Sequence, residues 1–140
     1  MEEFKRVEHI GLAVSNLQSA IDTWTGILGQ GPYHRELVAH EKVETVFFKT
    51  GETKLELLGA TSEDSVIQKF IAKKGEGIHH IALEVQDIYA TMERLKSQGF
   101  TLLNPEPKRG ADNKLICFVH PKDTKGVLLE LCMEIEEPGF

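Results

Sequence analysis

The 140-residue chain is short of several residue types, and each shortage narrows what it can be. It has two cysteines, Cys117 and Cys132. They lie in apolar, strand-like runs, with neither a paired-cysteine motif nor secretory context, and read as small buried hydrophobes rather than a disulfide or a zinc–thiolate pair. Basic excess is missing too: 16 Lys and Arg stand against 22 Asp and Glu, a net charge of −6. That balance argues against a nucleic-acid partner, which needs a basic face, and leaves room only for a local basic patch suited to a small anion. No apolar run is long enough to span a membrane, so no membrane partner is expected. The N-terminal MEEFKRVEH has no apolar signal core and is not acid-poor like a transit peptide, so the expected compartment is cytoplasmic. No low-complexity stretch occurs. At this length a single domain with a real core is expected.

What is present is a repeat. VEHIGLAVSNLQSAIDTW from Val7 and IHHIALEVQDIYATMERL from Ile78 align when His9 is set over His80. Each half reads as a strand, a short polar turn and a helical pattern, at about half the chain length apart. In the first half, a strand is expected near Val7–Val14, with Ser15 or Asn16 capping the helix that follows. Leu17, Ala20, Ile21, Trp24, Ile27 and Leu28 form its apolar stripe, and Gly29 ends it. A weakly patterned strand near His34–Ala39 precedes Val43–Lys49 and Thr53–Leu58, which are joined by a turn at Thr50-Gly51-Glu52. Ser65–Lys74 reads as a connecting helix stopped by Gly75. The second half repeats the order: Ile78–Val85, a helix capped by Asp87 and ended by Gly99, then strands at Phe100–Leu103, Leu115–His120 and Val127–Met133. Asn104–Asn113 reads as a long loop. Module one therefore covers about residues 6–60, a linker helix about 62–75 and module two about 77–135, all within one domain. The fold class is α+β: two tandem βαβββ modules, each too small to cover its own sheet, together able to form a curved mixed sheet with a cleft.

The informative polar residues are buried by pattern. Side chains alternate along a strand, so His9 shares a face with Gly11 and Ala13, and His80 shares one with Ala82 and Glu84, whereas His79 falls on the opposite face. Both equivalent histidines therefore have a small next neighbour. Glu56 in KLELLG and Glu130 in GVLLELC lie in the closing apolar strand of each module. An ionised carboxylate there is costly unless it is paired or binds a metal. His9, Glu56, His80 and Glu130 make a coherent donor set for a divalent cation: imidazole suits cobalt, nickel, zinc and iron, and carboxylate brings manganese and magnesium into range. Four protein ligands leave two positions of a six-coordinate ion for two substrate oxygens, where the ion acts as a Lewis acid. His34 and His40 read as ordinary loop residues.

At these residues the chain resembles the vicinal oxygen chelate superfamily, and more closely the methylmalonyl-CoA epimerases. The resemblance is carried by EHIGLAV (Glu8–Val14), TKLELLG (Thr53–Gly59), GIHHIALEV (Gly77–Val85), NPEPKRGADNK (Asn104–Lys114) and HPKDTKGVLLELC (His120–Cys132), which with their spacing span nearly the whole chain. It implies a cup-shaped sheet with helices on its outer face, an acyl-CoA substrate and a homodimer. It also implies inversion of the carbon between a thioester and a carboxylate, with one base on each face of a planar enolate. The resemblance assigns these bases to Glu130, also a metal ligand, and Glu44 in KVETVFF, with Glu41 as the alternative to Glu44. At the point of the second module matching Glu44, the stretch before Leu115 offers Lys114. Asp112-Asn113 replace the His or Gly more usual in the family's substrate loop. Lys108, Arg109 and Lys122 are candidates for the phosphates or the carboxylate of the acyl-CoA, and His120 for either a substrate contact or a strand-end cap. Two other readings share the pattern: a glyoxalase-like isomerase or extradiol-type dioxygenase, and a non-catalytic small-molecule-binding protein.

Overall fold

The computed structural model describes residues 2–136. Its described residues fall into two compact units, residues 9–79 and residues 2–8 with 80–136. The division falls inside two strands, so that the first residues of β1 (Phe4–Val14) belong with the second unit, and the first residues of β5 (Gly77–Val85) with the first.

In the first unit, β1 is followed by α1 (Leu17–Leu28), β2 (His34–Val38), β3 (Val43–Thr50) and β4 (Thr53–Ala60). Asn16, rather than Ser15, caps α1: its side-chain oxygen accepts the Ser19 N–H at 2.9 Å. Gly29 closes the helix in the left-handed conformation, donating its N–H to the Thr25 carbonyl. Of the stripe read from the sequence, Leu17, Ala20, Ile21, Trp24 and Leu28 gather with Val14, Val46, Phe48 and Leu57, whereas Ile27 is exposed. Strands pair in the order β2-β3-β4-β1, with β1 and β4 parallel. Helix α2 (Val66–Lys74) follows, capped by Ser65, and puts Ile67, Phe70 and Ile71 against Ala13, Val43 and Leu58. The two helices thus cover opposite faces of these strands.

The second unit repeats the order with β5, α3 (Ile88–Ser97), β6 (Lys108–Arg109), β7 (Lys114–Val119) and β8 (Leu129–Glu134). The Asp87 carboxylate accepts two N–H groups at the start of α3. Ile88, Met92 and Leu95 pack on Val85, Cys117, Val119 and Leu131. Strand order is β5-β8-β7-β6.

Two expectations are corrected here. Phe100–Leu103 is not a strand; it makes one bridge, Leu102 to Val119. Beyond it the side chain of Asn104 takes over from the backbone, donating to the Ile116 carbonyl and accepting the Phe118 N–H at 3.0 Å. The expected loop Asn104–Asn113 contains the missing strand: β6 pairs with β7, Lys108 opposite Ile116 and Arg109 opposite Leu115. Its return turn places Asp112 and Asn113 at φ 58° and 55°. Outside glycine, Asn and Asp are the residues that tolerate that conformation best. At Gly110 a Cβ would lie 2.8 Å from the end of the Ile116 side chain, which would have to shift to admit a larger residue.

Candidate metal and active site

The two halves of the donor set are built alike. In the first unit, β1 and β4 run parallel with Gly11 opposite Glu56, so that Glu56 and His9 share a face. His9 Nδ1 lies 3.1 Å from Glu56 Oε2, and both residues are buried. In the second unit Ala82 stands opposite Glu130, and His80 Nε2 lies 3.3 Å from Glu130 Oε1, again with both buried. The repeat read from the sequence therefore extends to strand register.

Each couple suits a metal. Bonds of about 2.0–2.2 Å to nitrogen and carboxylate oxygen, set at right angles, bring two donor atoms about 3 Å apart. Both His–Glu separations match that edge. Neutral imidazole with carboxylate is also a donor chemistry that divalent first-row ions accept.

A pair of aromatic residues was missed in the sequence. Phe47 stands directly opposite Glu56 on β3, and Phe118 directly opposite Glu130 on β7. Each of these two carboxylates thus has a ring beside it on its own face. The Phe118 ring meets His80 edge-on, with centroids 5.9 Å apart. The available signal was the phenylalanine in each preceding strand, which becomes informative only once the hairpin register is known. Also missed were buried Glu8 and Glu84. Glu84 is ion-paired with Arg6 and lies 3.9 Å from Lys5.

Glu44 does not share the face of Glu56. Its cross-strand partner is Gly59, and by alternation it shares a face with Val46 and Phe48, the face packed on α1. Glu56 faces the other way. Glu44 is instead ion-paired with Arg35 at 2.8 Å, and its side chain is 33% exposed. Thr45 occupies the Glu56 face at that point. Glu41, the alternative, lies in a 3₁₀ turn (Ala39–Glu41), off the strands. The matched point also shifts: Val43 lies opposite Ala60 and Lys114 opposite Glu134, so Lys114 answers to Val43, and Leu115 to Glu44. Lys114 is buried and ion-paired with Glu134 at 3.3 Å.

Among the candidate substrate residues, Lys108 and Arg109 fall on opposite faces of β6. Arg109 reaches Asn113, and Lys122 sits exposed in the turn after His120. His120 serves as a turn cap, its Nδ1 accepting the Lys122 N–H at 3.0 Å. His34 lies in β2, not in a loop, and His40 in the 3₁₀ turn; both are exposed. Burial pushes the Cys132 thiol well up, and the negative charges of Glu130, Glu8 and Glu84 push it further, opposed by Lys114. Burial also raises Cys117. Neither thiol is poised as a thiolate ligand.

The sequence profile of the Glyoxalase/Bleomycin resistance protein/Dioxygenase superfamily matches residues 8–118. The ethylmalonyl-CoA/methylmalonyl-CoA epimerase of Cereibacter sphaeroides is 39% identical over 90% of this chain and 96% of its own length. The mitochondrial methylmalonyl-CoA epimerase of Homo sapiens is 39% identical over 90% and 72%. The chain belongs to the methylmalonyl-CoA epimerase family. The crystal structure of the family's Mycobacterium tuberculosis member superposes with a TM-score of 0.91 at 33% identity, covering 97% of this chain and 92% of that one. The fold is accordingly the vicinal oxygen chelate fold of the epimerase family.

Proposed function

We propose that the protein is a metal-dependent epimerase that interconverts (R)- and (S)-methylmalonyl-CoA. The observation that carries this reading is the buried His–Glu couple found at the same register in both modules of a chain from the epimerase family.

His9, Glu56, His80 and Glu130 would together hold the cation, cobalt(II) being favoured over manganese, nickel, zinc or magnesium. Once bound, the cation supplies Lewis acidity toward the thioester and carboxylate oxygens of the substrate. Two carboxylates and two neutral imidazoles balance its charge. Glu130 takes the proton from the carbon between those groups, leaving an enolate. Inversion then needs a proton from the opposite side. Glu56 replaces Glu44 in that role: it is the carboxylate at the register equivalent to Glu130, whereas Glu44 shares its face with the α1-packed residues. Phe47 and Phe118 stand directly opposite the two carboxylates on the neighbouring strands.

The working protein is a homodimer in the cytoplasm serving propionate metabolism, with a small acyl-CoA as its partner and neither nucleic acid nor membrane. The direct test is incubation of metal-loaded protein with methylmalonyl-CoA in deuterium oxide. Deuterium at the α-carbon and loss of optical purity are expected, abolished by a chelator and restored by added metal. Metal-loaded protein that introduces no deuterium would sink the proposal. Light scattering on the purified protein checks the dimer.

A further inference from the structure

In the first unit the row of strand residues beside His9 is basic. Lys49 stands directly opposite Lys54 across the β3–β4 hairpin, and Lys54 stands opposite His9 on β1. Like charges directly opposite each other destabilise a strand pair. The chain has fewer cations than anions, 16 against 22, yet two of them meet here. Lys49 is exposed, and among the described residues no carboxylate lies within ion-pair distance of it, Glu52 of the adjoining turn included. Its ammonium lies over the Tyr33 ring, 4.9 Å from the centre.

The row is continuous with the His9–Glu56 couple. By alternation Lys49 shares a face with Phe47, and Lys54 with Glu56. Phe47 stands opposite Glu56, and its ring lies 6.1 Å from that of Tyr33 and 5.3 Å from that of His34. A line of side chains thus runs outward through Glu56, Phe47, Tyr33 and Lys49. The second unit does not repeat it. Extending its register by two residues from Ala82, Glu130 and Phe118 puts His80, Leu128 and His120 in one row. That row holds an apolar residue and a histidine in place of the two lysines. The repeat that gives each unit a His–Glu couple therefore diverges at this point, and only the first module carries paired positive charge there.

We propose that Lys49 binds the diphosphate of the CoA arm, so that the arm is read by the first module. This rests on the acyl-CoA epimerase reading and deepens it. Lys49 lies two strands from His9, about 10 Å. The pantetheine arm outreaches that distance, so the diphosphate is the first anionic group along it able to meet the ammonium, in a charge-assisted hydrogen bond. Its negative charge also offsets the repulsion between Lys49 and Lys54, which gives an otherwise costly pair a reason to be there.

The test is a set of ligand-observed NMR titrations of the cobalt(II)-loaded protein. The ligands are propionyl-CoA, propionyl-dephospho-CoA, which keeps the diphosphate without the 3′-phosphate, and propionyl-pantetheine, which has neither. Lys49→Met keeps an apolar stem over Tyr33 and removes the charge, and Lys49→Arg restores the charge. Lys49→Met should weaken the first two ligands alike, by about three- to tenfold at low salt and by less at high salt. Its metal content and its affinity for propionyl-pantetheine should be unchanged, and Lys49→Arg should bind like wild type. Equal affinities in wild type and Lys49→Met, a loss confined to propionyl-CoA, or a loss shared by the pantetheine thioester each overturns the inference. Deuterium exchange into methylmalonyl-CoA is followed separately. A wild type that shows the diphosphate-dependent pattern without exchange overturns the epimerase reading and leaves the Lys49 contact standing. Exchange without the pattern overturns the inference alone.

Discussion

A glutamate buried beside a histidine has two jobs to choose from, holding charge or moving a proton, and substitution by glutamine separates them. Glutamine keeps a ligand oxygen and loses the base. Glu130→Gln is expected to lower turnover by about 10²–10⁴-fold, the usual weight of a general base, while metal stays bound. Glu56→Gln is expected to leave one epimer exchanging its α-proton for deuterium with configuration retained, and the other inert, because one side of the enolate still has its base. Chiral analysis of recovered substrate reads this out. If both epimers lose exchange equally, the two-carboxylate assignment fails. Glu44→Gln removes only the half-exposed ion pair with Arg35, worth about 0–1 kcal/mol, and should leave turnover within about twofold. The cysteines give an independent check on the core. With Cys132 raised by burial and surrounding carboxylates, and Cys117 raised by burial, both thiols should resist alkylation in the native protein at pH 8 and react on unfolding.

At the scale of elements, the second module holds together where a strand was expected and a side chain is found. Asn104 spans the Ile116 carbonyl and the Phe118 N–H. Asn104→Ala should cost about 1–3 kcal/mol in chemical denaturation by leaving both without a partner. In the β6–β7 turn, Asn113→Val forces a branched residue into a left-handed conformation and should cost about 1–2 kcal/mol, whereas Asn113→Gly should not destabilise. Two acidic anchors set a pH response. The Asp123 carboxylate is lowered chiefly by the Thr101 N–H it accepts at 2.6 Å. Asp64 is lowered to about 2 by hydrogen bonds from Lys42 and Ser62. A carboxylate whose pKa is depressed on folding stabilises the fold above its unfolded pKa and loses that contribution as pH falls through the folded value. Asp64 should therefore titrate near pH 2 by NMR, and its stabilisation should fade between about pH 4 and 2, modestly, because the site is exposed.

At the scale of the whole molecule, the sequence carried the modules because each began with the same strand and helix signals. The cap at Asp87 and the stops at Gly29 and Gly75 were legible because one residue's chemistry decides each, whereas Ser15 and Asn16 both suited the first cap and Ser65 read as the first residue of its helix. The four candidate ligands were legible because charged residues in apolar strands are costly. The face of Glu44 was not. It depends on which side of β3 meets α1, and a glutamate flanked by Val43, Thr45 and Val46 has no alternation strong enough to decide. Lys114 and Glu84 were hidden for a related reason: their burial depends on partners distant in sequence, Glu134 and Arg6.

The first strand illustrates the same non-local logic. Its leading residues belong with the second unit: Arg6 and Lys5 answer the buried Glu84, and Glu3 holds Arg94 and accepts the Gln86 N–H. The duplicated sequence thus has a seam that is not a place to cut. A fragment ending before Gly77 takes those five to eight residues away from the half they neutralise, and a shortened N-terminus leaves Glu84 charged in an apolar interior.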